Sequence, residues 1–305
     1  MSAINTNLGL NLGPLAVIGA TGLLGQALRS EAEKRGYRIN GLARTGADIN
    51  LDIQDTQALL DALDQLQPKY IINAAALINL EECEREPALA HAMNALAVKN
   101  MADYCQKQGV KLIQVSTDHY FTGDGSAIHD EVAKTSLLNN YAKSKYEGEL
   151  FAQTLENSLI LRTNIVGFRG WSGRPTFVEW AIDALSKGSP ITLFNDFYTS
   201  SIHVKAFSAA LFDLLEKNAS GLLNLGARDV ASKADFLLKL AHELEFPVNN
   251  CSLCSVHSMG GVARADSLGL DVSKAEAILG YALPKTDEVI AELAREYRER
   301  LNAIR

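Results

Sequence analysis

From Leu15 onward, short apolar runs alternate with longer stretches of helical pattern, which predicts an α/β protein on a doubly wound parallel sheet of Rossmann type. Two further observations support this fold. A glycine-rich turn, GATGLLG at 19–25, follows the first apolar run, and a tyrosine and a lysine four residues apart, Tyr141 and Lys145 in YAKSK, lie on a later helical segment. The alternation weakens after Arg162, which predicts a smaller C-terminal substrate-binding region.

In chain order, LAVIGA reads as the first strand, 22–35 as a helix and RINGLAR as the second strand. A helix over 56–66 starts after Asp55, a suitable N-cap, and Pro68 opens the strand KYIINAAA. One long helix is expected over 87–108, with proline in its first turn and Gly109 past its end. KLIQVSTD then reads as a buried strand, FTGDGSAIHDEVAKTSLLNN as a loop without clear period, 141–155 as a helix and SLILRT as a further strand. The expected organisation is a flexible tail at 1–14, an NAD(P)-binding domain at 15–163 and the substrate-binding region at 164–305, part of which returns to the sheet.

With 305 residues, 47% hydrophobic and 21% charged, the chain has the composition of a globular protein able to bury a substantial core. A formal net charge of -7 without a lysine or arginine cluster argues against nucleic acid or an anionic membrane as partner, and favours small molecules. No stretch approaches a membrane span, the first residues lack a secretory pattern, and the cytoplasm is the expected compartment. The four cysteines form no disulfide framework. The pair in CSLC lacks the second pair a zinc site needs, so no metal site is expected. A homodimer and a monomer both fit the sequence.

Gly19, Gly22 and Gly25 sit where a strand turns into a helix. Missing side chains there permit the tight turn, let the backbone approach a pyrophosphate and let helix and strand pack closely. Thr21, Leu23 and Leu24 complete the turn, whose amides point at the anion. At the end of the second strand, where an acid usually accepts the ribose hydroxyls of NAD, this chain has Arg44. A guanidinium suits a 2′-phosphate, so NADPH is favoured, with NADH as the alternative. Asp52 and Ile53 are expected to bracket the adenine, and Asn73, Ala74 and Ala75 to lie beside the cofactor at a strand end.

Ketone reduction needs a hydride from the nicotinamide and a proton for the developing alkoxide. Tyr141 is the candidate acid. Its ordinary pKa of about 10 is high for exchange near neutrality, and Lys145, one helical turn on, is expected to lower it and to bond the nicotinamide ribose. Thr117, at a strand end, is placed to hold the substrate oxygen against Tyr141.

These segments, with YIINAAALINLEECE, VSTDHYFTG, NNYAKSKYEGE, LRTNIVG and LDVSKAEAILGYALP, resemble the extended short-chain dehydrogenase/reductase family over nearly the whole chain, and more closely its dTDP-4-dehydrorhamnose reductase branch. The resemblance implies NAD(P)H-dependent reduction of the C4 ketone of a nucleotide-linked 6-deoxyhexulose, with Thr117, Tyr141 and Lys145 at the catalytic positions. It also implies that Asp118 and Phe121 belong to the strand-end motif, and that Glu131 matches an acid kept in the following loop.

The chain departs from that pattern where substrate should bind. His119, Tyr120 and Thr122 replace the family's tyrosine, valine and aspartate. The turn NDFYTSSIH lacks the family's proline, Lys205 stands at an acidic position, and Arg264 is followed by Ala265 instead of proline. Arg162, Arg169, Arg174 and Arg264 are candidates for a diphosphate, while His119 and His203 read as structural or pocket-lining. Two other readings remain open: a cofactor-binding regulatory subunit on the same fold, and an epimerase or dehydratase that uses Asp118 as an additional acid or base.

Overall fold

A computed structural model describes residues 12–304, apart from 172 and 259. Five parallel strands come from the first part of the chain: β1 (Leu15–Ile18), β2 (Ile39–Ala43), β3 (Ile49–Asn50), β4 (Tyr70–Asn73) and β5 (Lys111–Val115). With the strands Leu159–Arg162 and Gly221–Asn224 they make one seven-stranded parallel sheet. The last of these strands comes from the C-terminal part and pairs with Leu159–Arg162 at the sheet edge. Because the strand order reverses direction at β1, a crevice opens between the carboxyl ends of β1 and β4, the usual ligand position in such sheets.

Alternation along β1 sends Leu15 and Val17 into one core and Ala16 and Ile18 into another, so both sheet faces are covered. On the first face lie α1 (Leu23–Arg35) and the helix Val204–Glu216; on the second, α2 (Thr56–Leu66) and the helix Ala97–Gln108. α2 starts where expected, the Asp55 side chain accepting the Ala58 N–H at 3.0 Å. Leu12 is buried in the first core, inside the stretch expected to be a tail; residues 1–11 of that stretch lie outside the described ones.

Several expectations need correction. The long helix at 87–108 contains a π-helical segment, Ala92–Leu96, between α-helical pieces. Asn94 in that segment clamps the loop after β4: its side chain accepts the Leu77 N–H at 2.8 Å and donates to the Leu77 carbonyl and to Ser144 Oγ. Gly148 lies so close to the Asn94 carbonyl that a β-carbon would come within 2.1 Å of it, so a side chain there would push the helices apart. A helix at Leu80–Arg85, capped by Asn79, went unread because its six residues are too few to show a period. The loop after β5 contains a short strand, Ile128–His129, parallel to Ser267–Leu270. The C-terminal part is more regular than expected, with five α-helices among the described residues and its own core around Val178, Phe236 and Leu293.

Candidate active site

At the carboxyl end of β1, Gly19 has φ 84°, and a β-carbon there would meet the Ala74–Ala75 backbone at 2.9–3.0 Å. At Gly25 a β-carbon would lie 2.3 Å from the Gly19 carbonyl, so α1 and the turn touch backbone to backbone. Gly22 is the N-cap of α1 without a capping side chain, and the first turn carries no acid. The amides of Leu23, Leu24 and Gly25 therefore lack intrahelical acceptors, and the positive helix end is open to an anion. These features fit the pyrophosphate of a dinucleotide. Leu24 is buried in the core, so its contribution to such a site is its amide.

Beside this turn lies a cavity of about 750 Å³ lined by Thr21, Gln26, Arg29, Thr45 and Asp48 among others. Arg29 pairs with Asp48 at 2.6 Å, and Asp48 also accepts the Gly41 N–H, which holds its pKa below the ordinary value. Arg44, just before this wall, is exposed and has no hydrogen bond or ion pair with the described residues. Asp52 accepts bonds from Gln54, while Ile53 is buried in the second core. Asn73 is buried, donating to Gln114 at 2.8 Å and accepting the Ala75 N–H; the Ala74 N–H donates to the Ile18 carbonyl.

The helix Asn140–Gln153 brings Tyr141 and Lys145 to the end of β5. Its N-cap, Asn139, accepts the Ala142 N–H and donates to the Ala263 carbonyl, tying the helix start to the C-terminal part. Tyr141 lies beside Thr117, whose hydroxyl favours the phenolate, while that hydroxyl donates to Asp118 and accepts the His119 N–H. Burial pushes the Tyr141 phenol well above its ordinary range; Thr117 opposes this, and the nearby Asp118 adds to it. The expectation that Lys145 lowers Tyr141 is not met. The Lys145 ammonium donates to the Val115 carbonyl at 2.7 Å, and burial brings its own pKa down to about 8 against the pull of Glu149.

Asp118 is buried beside Thr117 and accepts the Asn164 side-chain N–H at 2.9 Å. Burial raises its pKa, opposed by the Asn164 bond and by Lys233. His119 stands edge-on to Tyr141, ring centroids 5.5 Å apart, and burial lowers its pKa to about 4 with the help of Lys233 and Arg264.

The arginines proposed for a diphosphate mostly have other work. Arg162 is buried and bonds Glu149 at two points, 2.6 and 3.1 Å, with its guanidinium over the Tyr120 ring, so it belongs to the core. Arg264 is paired with Glu81, Arg169 lies over Trp171 and donates to the Arg174 carbonyl, and Arg174 is exposed. Glu131 accepts the Asn224 N–H and acts as a brace. His203, Glu292 and Glu296 cluster closely enough to hold a cation, but the Lys205 ammonium already lies 2.8 Å from Glu296. In CSLC, Cys251–Cys254 is a strand parallel to Ile191–Phe194, and both cysteines are free.

The model of the RmlD substrate binding domain family matches residues 14–299. The chain belongs to that family. Of its relatives, a Haloferax volcanii protein named "Probable low-salt glycan biosynthesis reductase Agl14" is 26% identical over 93% of this chain and 98% of its own length. The structure of dTDP-4-dehydrorhamnose reductase from Bacillus anthracis, in complex with NADP, is 26% identical and superposes with a TM-score of 0.84 over 93% of this chain and 99% of that one. A third relative, methionine adenosyltransferase 2 subunit beta of Xenopus laevis, is 24% identical over 85% of this chain and 80% of its own. RmlD-type membership agrees with the sheet order and with the glycine turn at the switch point. Sequence reasoning missed Asn164, Glu149 and Lys233: the first two lie inside the segments LRTNIVG and NNYAKSKYEGE, but their partners are set by the fold, and Lys233 lies outside every motif. Among the described residues no helix is long and apolar enough to cross a membrane.

Proposed function

We propose that this chain reduces the C4 ketone of a nucleotide-activated 6-deoxyhexulose, with Tyr141 as proton donor. It is an NAD(P)H-dependent oxidoreductase of the dTDP-4-dehydrorhamnose reductase type, with NADPH as the favoured cofactor. The observation that carries the reading is that Thr117, Tyr141 and Lys145 come to the end of β5, on the same carboxyl edge of the sheet as the glycine turn after β1.

The residues assigned to the cofactor are the amides of the 19–25 turn for the pyrophosphate, Arg44 for the 2′-phosphate, Asp52 and Ile53 at the adenine, Asn73 to Ala75 alongside, and Lys145 at the nicotinamide ribose. When bound, the nicotinamide supplies the hydride that adds to the carbonyl carbon. Thr117 holds the carbonyl oxygen in line with Tyr141, whose O–H breaks as the alkoxide takes its proton. Burial keeps the phenol protonated, the form the reduction needs. Lys145, held at the end of β5 by the Val115 carbonyl, serves in this step at the nicotinamide ribose.

The test is NADPH oxidation with a dTDP-4-keto-6-deoxyhexulose by the wild type and by Tyr141→Phe. The variant should bind NADPH normally and lose at least about 100-fold in turnover. Full activity in it would remove Tyr141 as the donor.

The likeness to methionine adenosyltransferase 2 subunit beta favours a second reading, a cofactor-binding regulatory subunit. Co-purification with another enzyme, together with no reduction of any keto sugar, would select it.

A further inference from the structure

A row of side chains leads from Tyr141 into the C-terminal part. After His119, whose ring is edge-on to Tyr141, comes Phe197, its centroid 6.4 Å from that of His119. Lys233 follows, the first residue of the helix Lys233–Glu243, with its ammonium 5.9 Å from the centre of the Phe197 ring and 4.4 Å from that of Phe177. The row joins the catalytic end of β5 to the C-terminal helices.

Two polar groups in it lack partners. The buried His119 Nδ1 makes no hydrogen bond. The Lys233 ammonium makes no hydrogen bond or ion pair with any described residue; the rings flank it, and Asp118 attracts it from a distance. Of the other cations near this end of the sheet, Arg162 and Arg264 are engaged by Glu149 and Glu81, and Lys145 by the Val115 carbonyl. An ammonium carries three donors, and Lys233 spends none of them on a side chain or carbonyl of the described residues, which leaves them for an anion. Lys233 is half-buried, so an anion can reach its ammonium, and the apolar rings beside it strengthen the pair that would form.

We propose that Lys233, with His119 beside it, receives the phosphoryl oxygens of the substrate and so sets which end of the sugar faces Tyr141. The proposal rests on the nucleotide-sugar reading above. In a 4-keto sugar nucleotide the ketone and the phosphate-bearing carbon lie across the ring from each other. The row has the same order: a proton donor at one end, a cation at the other, and His119 between them. Lysine suits phosphate oxygens as a point charge, so arginine should replace it in part.

The experiment is calorimetric titration of dTDP, UDP and inorganic pyrophosphate into the protein saturated with NADP+, which keeps the cofactor's own anion site filled. Wild type, Lys233→Met, Lys233→Gln and Lys233→Arg are compared, with thymidine and uridine as uncharged controls. A nucleoside diphosphate should bind about tenfold more weakly to the Met and Gln variants, with most affinity recovered in the Arg variant and nucleoside binding unchanged. In turnover the same variants should show raised KM with kcat largely kept. Equal diphosphate affinity in all four proteins, or a wild type that binds none of the three anions, overturns the proposal. So does a fall in kcat with KM and diphosphate affinity unchanged, which would make Lys233 a partner of Asp118 alone. Lys233-dependent diphosphate binding by a protein that reduces no keto sugar would support the anion site and remove the reductase reading.

Discussion

Glu149 and Arg162 form a two-point ion pair with almost no solvent contact, their side chains 0% and 3% exposed, one helical turn beyond Lys145. Ser116 donates to the same carboxylate at 2.9 Å and meets Tyr120 Oη at 3.0 Å, so the pair is fixed from β5 as well as from its own helix. The helix carrying Tyr141 and Lys145 is thereby anchored to the strand that carries Arg162. Such a pair orients the site more than it stabilises the protein, since burying both ions offsets much of their attraction.

Breaking one side of it should therefore be expensive. Glu149→Gln leaves a buried guanidinium without its counter-charge and should cost about 3–5 kcal/mol, read from urea unfolding. Replacing both, Glu149→Leu with Arg162→Met, should recover much of the loss. If the double variant were less stable than the single one, the pair would be a net stabiliser.

Gly25→Ala tests the contact between α1 and the first turn. The new methyl would meet backbone atoms at 2.3–2.6 Å, none of which can move without shifting the helix. A loss of about 1–3 kcal/mol is expected, with NADPH binding weakened because the helix end no longer lies against the turn. Unchanged cofactor affinity in a fluorescence titration would detach the pyrophosphate from this turn.

Arg44→Ala should reduce NADPH affinity about tenfold and leave NADH nearly unchanged, because a guanidinium gains from a phosphate and not from a neutral diol. An unaltered ratio of the two dissociation constants would make Arg44 a solvated surface cation.

What the sequence made legible was what is local. Gly19, Gly22 and Gly25 act through one turn of backbone, and Tyr141 and Lys145 share a helix face at a spacing that can be counted. The succession of short apolar runs and helical patterns was enough to predict a doubly wound sheet, and β1 is buried on both faces. The balance of charge in the site was not legible, because it depends on partners far along the chain: Asn164 on Asp118, Arg162 on Glu149, and the carbonyl of Val115 on Lys145. For the same reason Arg162 looked like a free cation, and burial, which dominates Tyr141, had no sign in the sequence. The π-helical segment was hidden because one extra residue per turn leaves the apolar pattern nearly unchanged over five residues.

His119 gives the protein an acid-sensitive element beside the site. Its pKa falls from 6.5 to about 4 because burial disfavours the imidazolium, with Lys233 and Arg264 adding repulsion. The unfolded chain therefore takes up this proton first as pH falls. Stability from the neutral ring is complete above about pH 6.5 and drains away between there and about pH 4. At roughly 1.4 kcal/mol per unit, the loss attributable to this residue reaches about 3 kcal/mol at most, and part-exposure of the ring reduces it. Thermal unfolding from about pH 4 to about pH 8 should show the melting temperature of the wild type dropping toward acid more steeply than that of His119→Phe, with the curves running parallel above about pH 7. Parallel curves over the whole range would mean that the ring reaches water when protonated. The slope difference should also shrink in Lys233→Met, since one of the two cations opposing the imidazolium would be gone.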